Sequence, residues 1–170
     1  GTVHTGFIEK DGRDYVFLNA QTGIQIWDWT DIMKPTHVSS LKIPKLTKGA
    51  YANTAWWLAM QYPYIYVGGT NTGLHIVDAS DLNSPKLKRS IPMSKLGGFK
   101  IGSLFTCGNL LVCNTFDAPG ISVLDIGDPL NPKLQKTLKE TFGYSSLFNG
   151  GYLYGIAEHP KVWDLHDPEN

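Results

Sequence analysis

The 170-residue chain is 42% apolar and 18% charged, which excludes a disordered segment and leaves room for one sizeable core. Its 15 Lys and Arg balance 15 Asp and Glu, so no charge excess points to nucleic acid, a polyanion or an anionic membrane as partner. The longest apolar run, Ala55 to Met60, is far below bilayer length, and two cysteines are too few for a disulfide framework or a zinc site.

In chain order, the predicted elements are short strands joined by tight turns. Val3 to Glu9 and Tyr15 to Leu18 flank Asp11-Gly12; Gly23 to Asp28 and His37 to Ile43 follow. The order then recurs. Ala55 to Tyr62, Tyr64 to Val67, Gly73 to Asp78 and Lys86 to Ile91 form a second set. Ser103 to Cys107, Leu110 to Cys113, Gly120 to Asp125 and Lys133 to Leu138 form a third. Ser145 to Asn149, Tyr152 to Gly155 and His159 to Asp164 begin a fourth. Each second strand is apolar on both parities, as a strand covered on both faces requires. The fourth strands are mixed and polar, as in Lys86-Leu87-Lys88-Arg89-Ser90, which suits a rim edge protected by charge.

The third strands end in Asp28, Asp78, Asp125 and Asp164, spaced by 50, 47 and 39 positions. Three residues later stand Asp31, Asp81, Asp128 and Asp167, and Pro35, Pro85 and Pro132 follow in the first three copies. That period fits a four-stranded propeller blade. The reading is all-β: a β-propeller of four-stranded antiparallel blades, three complete and a partial fourth, with blades near 1–43, 50–92, 101–138 and 144–170. An open stack leaves apolar faces bare, so a piece of a larger ring is expected, ahead of a closed four-blade ring or completion by another chain. The expected partner is accordingly another protein chain or the missing blades of the same propeller.

Gly73-Leu74-His75-Ile76-Val77-Asp78-Ala79-Ser80-Asp81 and Asp125-Ile126-Gly127-Asp128-Pro129-Leu130-Asn131-Pro132 resemble the LVIVD-repeat family of β-propellers, whose strand ends in Val-Asp before a Ser-Asp turn and an Asn-Pro. The resemblance implies a propeller on an exported, periplasmic or cell-surface bacterial protein, and no particular activity.

The repeated Asp28, Asp78, Asp125 and Asp164 admit an ion-ligand reading, but recurrence in every copy favours structural turns that accept backbone N–H bonds. His75 fills a slot taken elsewhere by Gln25, Ser122 and Lys161, hence a polar strand position and not a metal ligand. No hydrolase elbow, phosphate loop or metalloprotease helix appears, so no cofactor or metal is expected and catalysis is disfavoured. Cys107 and Cys113 are read as two buried thiols, with a disulfide the lesser alternative.

Topology puts the Asp-Asp-Pro turns on one face and the inter-blade loops, variable in length, on the other. Variable loops on a rigid scaffold are where binding resides. The expectation is a non-catalytic scaffold for protein or ligand interaction through that loop face. Tyr51, Asn53, Trp56, Tyr144 and His159 are its candidate contacts, and one of Trp56 and Trp57 is expected to be exposed. The alternatives are an exported propeller enzyme with residues spread over several blades, and a carbohydrate- or metal-binding module.

Overall fold

The computed structural model describes residues 4–49, 53–115, 120–139, 146–156 and 159–167. Fifteen strands form four antiparallel sheets among these residues. Sheet one contains β1 (Thr5–Lys10), β2 (Arg13–Ala20), β3 (Gly23–Asp28) and β4 (Thr36–Lys42) in that spatial order. Sheet two contains β5 (Trp57–Gln61), β6 (Tyr64–Gly68), β7 (Leu74–Asp78) and β8 (Lys86–Ile91). Sheet three contains β9 (Leu104–Cys107), β10 (Leu110–Asn114), β11 (Ile121–Asp125) and β12 (Lys133–Leu138). Sheet four has three strands, β13 (Ser146–Asn149), β14 (Tyr152–Ile156) and β15 (Pro160–Asp164). Each sheet is an up-and-down meander, the form of a propeller blade.

The blades stack through their faces. Consecutive inner strands meet, β1 with β5, β5 with β9 and β9 with β13. Between the first two blades lie Phe17, Ile24 and Ile26 on one side and Leu58, Ile65, Val67 and Val77 on the other. Tyr66, Leu74 and Ile76 meet Leu104, Leu111 and Leu124 at the second interface, and Val112, Ile121 and Val123 meet Phe148 and Leu153 at the third. Successive residues of one strand serve opposite interfaces, so Ile65 faces backward and Tyr66 forward. That is the physical content of a strand apolar on both parities.

All three complete blades share a bulge where the third strand meets the fourth. The register shifts between Ile26 and Trp27, Ile76 and Val77, and Val123 and Leu124, which leaves Val38, Lys88 and Gln135 unopposed on the outer strands. A bulge at that point sharpens the twist that a blade needs towards its rim.

The turns do more than end strands. Each first Asp accepts a backbone N–H two residues on: Thr30 to Asp28 at 3.0 Å, Ser80 to Asp78 at 3.0 Å, Gly127 to Asp125 at 2.7 Å and His166 to Asp164 at 3.0 Å. The second Asp repeats this with Met33, Asn83 and Leu130. The outer strand of one blade then holds the turn of the next. Ser39 Oγ donates to the Leu82 carbonyl at 2.6 Å, and Arg89, at the equivalent register position, donates to the Leu130 carbonyl at 2.9 Å.

Both cysteines are free; Cys113 is buried, but Cys107 is only half-buried, because it lies near the β9–β10 turn at the end of an inner strand. One 3-10 turn, Met93–Lys95, interrupts the loop between blades two and three.

Candidate functional site at the mouth of the channel

The four inner strands line a groove of about 270 Å³, bordered by Phe7, Leu58, Met60, Phe105, Leu147 and Phe148 among others. Each inner strand enters from the inter-blade loop face, so its first residue stands at the mouth. Register identifies the equivalent positions: His4 pairs with Asn19, Trp57 with Gly68 and Ser103 with Asn114. Three repeats thus present an imidazole, an indole and a hydroxyl at one level.

These groups are tied together. The His4 ring stacks on Trp57 with centroids 4.4 Å apart and planes 20° off parallel, and Trp57 leans on Phe105 at 5.9 Å. Asn19 is a clamp between the first two blades. Its Oδ1 accepts the His4 N–H at 2.6 Å, and its amide donates to the carbonyls of Ala55 at 2.9 Å and Trp56 at 3.0 Å. Burial holds the His4 imidazole below its ordinary pKa, against an opposing hydrogen bond with the Leu58 backbone, so the ring is neutral near pH 7.

Buried polar atoms here lack partners among the described residues: His4 Nδ1, Trp57 Nε1, Ser103 Oγ and, one residue past Asn114, Thr115 Oγ1. A buried donor without a partner costs about 1–3 kcal/mol, so each of these atoms calls for a partner such as an ordered water or a bound group. Three of the four occupy one repeat-equivalent position.

The loops around the mouth are anchored. Leu46, Leu96 and Ile101 are buried in the blade interfaces, Thr70 and Ile101 form a bridge, and Ser122 donates to the Leu96 carbonyl. Asn53 uses its backbone carbonyl to receive the Thr47 N–H at 2.7 Å and is half-buried. Trp56 pairs its backbone with Gly68 and Asn19, and both it and Trp57 are half-buried, so neither is the exposed member of the pair. His159 is exposed at the β14–β15 tip, on the same loop face as this cluster but in the fourth blade. Tyr51 and Tyr144 lie outside the described residues. Asp28, Asp78, Asp125 and Asp164 sit on the opposite face, engaged by their own turns. Among the described residues no cluster of His, Cys, Asp and Glu could hold a metal ion, and no helix is long and apolar enough to cross a membrane.

Sequence reasoning passed over His4, Trp57, Ser103 and Asn19. Aligning the inner strands on their pairing with the second strands would have exposed the replacement of His4 by Trp57 and Ser103 at one position.

The structure is similar to that of the computationally designed Ika4 protein, at 15% identity over 97% of this chain and 91% of that one, with a TM-score of 0.63. It is similar to a functionally unknown protein from Desulfotomaculum acetoxidans DSM 771, at 13% identity over 96% of this chain and 51% of that one, with a TM-score of 0.71. It is also similar to Saccharomyces cerevisiae Sqt1, at 7% identity over 98% of this chain and 46% of that one, with a TM-score of 0.66. The chain therefore spans about half the length of the two natural proteins. No curated protein matches it in sequence. The model of the LVIVD repeat matches residues 54–92, which enclose the whole second sheet. Residues 54–92 thus match the LVIVD repeat, and the chain is a run of β-propeller blades that includes this segment.

Proposed function

We propose that the chain is a non-catalytic β-propeller scaffold that binds a polar group at the loop-face mouth of its axial groove. The observation that carries this reading is the set of buried, unpartnered polar atoms at one repeat-equivalent level, His4 Nδ1, Trp57 Nε1 and Ser103 Oγ. Trp57 can only donate, Ser103 can donate or accept, and the neutral His4 ring, which donates to the Leu58 backbone through its other nitrogen, accepts at Nδ1. A ligand that carries a hydroxyl or amide N–H beside a carbonyl or carboxylate oxygen satisfies that set, whether a small molecule or a loop of a partner protein. The anchored inter-blade loops support the reading, because a rigid rim lowers the ordering cost of binding. An exported, periplasmic or cell-surface setting, which the family resemblance implies, is part of the same proposal.

The test is a thermal-shift screen of simple monosaccharides, carboxylates and peptide amides against wild type and a Trp57→Phe/Ser103→Ala double variant. Trp57→Phe keeps an aromatic ring for His4 and removes the N–H. A compound that raises the wild-type Tm and shifts the variant by less than half as much is the expected result. Equal shifts in both proteins place binding elsewhere, and no shift in either rejects the reading for these ligand classes.

A further inference from the structure

The first hairpin departs from its counterparts. In each blade one rung pairs the second strand with the third-strand Asp: Tyr15 with Asp28, Tyr64 with Asp78, Leu110 with Asp125 and Tyr152 with Asp164. In blades two, three and four the inner hairpin turns at that rung, closed by Gln61, Cys107 and Asn149. In blade one it runs on for two further rungs, Glu9 with Asp14 and Lys10 with Arg13. The extension reaches the boundary between blades one and two on the Asp-turn face. Lys10 Nζ donates to the Ser80 carbonyl of blade two at 3.1 Å, and Arg13 donates from Nε and Nη2 to Asp28 Oδ2 at 2.7 and 2.6 Å. Thr30 takes the other Asp28 oxygen through its N–H and hydroxyl, so Asp28 is spent on holding Arg13 in place.

Beside this extension lies a polar cleft of about 350 Å³, lined by Lys10 and Arg13 of blade one, Asp81 and Asn83 of blade two, and the half-buried Tyr15 and Val38. Its walls come from two blades that pack on each other, so it is internal to the stack. In the corresponding place between blades two and three, Arg89 stands where blade one has Ser39, and it reaches across to the Leu130 carbonyl at 2.9 Å and to the Asn131 side chain. Ser39 ends on the Leu82 carbonyl and leaves the space open. We propose that this cleft is a second binding site, on the face opposite the mouth, and that it takes a neutral sugar. Two cations, Lys10 and Arg13, stand against three carboxylates, Asp11, Asp28 and Asp81, so neither an anion nor a cation gains much from the whole. Arg13 has N–H groups beyond the two spent on Asp28, Asn83 brings a carboxamide, and Asp81 brings a carboxylate whose Oδ1 accepts the Asn83 N–H. Donors and acceptors therefore alternate along the walls. A hydroxyl donates and accepts at once, so neighbouring hydroxyls of a sugar match such walls where a ligand of one sign does not. Tyr15 and Val38 offer apolar surface to the C–H face of the ring. The volume falls at the small end of the roughly 300–1,000 Å³ usual for ligand sites.

Backbone amide shifts of the isotope-labelled chain, followed while glucose, galactose, mannose or N-acetylglucosamine is added, read the cleft directly. At least one of these sugars is expected to move Gly12, Arg13 and Ser80 to Asn83 along a saturable curve, with a Kd on the order of 1–10 mM. Arg13→Ala removes the guanidinium. Asp81→Asn keeps the Oδ1 that accepts the Asn83 N–H and leaves the Arg13–Asp28 pair intact. Each is expected to raise the Kd about tenfold, as the loss of a hydrogen bond to a charged group does. The amide spectrum itself shows whether a variant is folded, and if Arg13→Ala is not, Asp81→Asn decides. Trp57→Phe/Ser103→Ala is expected to leave the curve unchanged, so the cleft and the mouth stand or fall separately. No saturable movement of those residues with any of the four sugars overturns the proposal. A curve indifferent to the folded variants overturns it too. So does a cleft that responds to acetate or inorganic phosphate and to no sugar, because it would then be an anion site made by Lys10 and Arg13.

Discussion

His75 shows how a position that looks interchangeable in sequence becomes specific once buried. It is 2% exposed, with Nε2 at 2.8 Å from Thr72 Oγ1 and Nδ1 at 2.8 Å from Ser90 Oγ, so both ring nitrogens are used by hydroxyls that can serve a neutral imidazole. Burial first, and the positive charge of Lys45 second, lower its pKa from 6.5 to about 4. Between those values the unfolded chain binds a proton that the folded state refuses. Stability is therefore full above about pH 6.5, falls as the pH drops through the window and flattens below about pH 4. At about 1.4 kcal/mol per pH unit, the loss is on the order of 3 kcal/mol. His75→Gln, which copies Gln25 of the first blade, is expected to remove most of this slope in urea midpoints measured from pH 4 to 7. An unchanged slope would mean that other groups carry the acid sensitivity. The sequence placed His75 at a polar position of a strand. Its two hydroxyl partners were not legible, because Thr72 and Ser90 come from a hairpin tip and from the neighbouring strand.

The strand pattern was legible almost to the residue, because two-sided burial leaves an unbroken apolar run and the turns are marked by Gly, Asp and Pro. Leu74 to Asp78 is the predicted third strand less its leading Gly73. That glycine is required: its φ is +91°, and an added Cβ would stand 2.1 Å from the Ile91 carbonyl oxygen. Gly73→Ala adds left-handed strain to that clash and is expected to cost about 2–4 kcal/mol in chemical denaturation. Ile76, fully buried between blades two and three, is expected to cost about 2–5 kcal/mol as Ile76→Ala, read the same way. The shared bulge beside Ile76 was invisible, since an extra residue on a polar outer strand disturbs no pattern. The seam of Ser39 and Arg89 to the neighbouring turns was invisible for a different reason. It joins residues more than forty positions apart through chemistry that differs from blade to blade.

At the scale of the whole molecule, stability is distributed by neighbours. Among the described residues, blades two and three are covered on both faces and blades one and four on one, and in stacked repeats the unit with fewer neighbours opens first. Among the same residues the fourth sheet has three strands, with β15 at its edge and Val162 exposed. Amide exchange is therefore expected to be slowest in β6, β7 and β10 and fastest in β14 and β15. Exchange followed by mass spectrometry reads this order strand by strand. Faster exchange in β6 than in β15 would contradict the stacking itself, because no arrangement of radial blades exposes the middle before the edge.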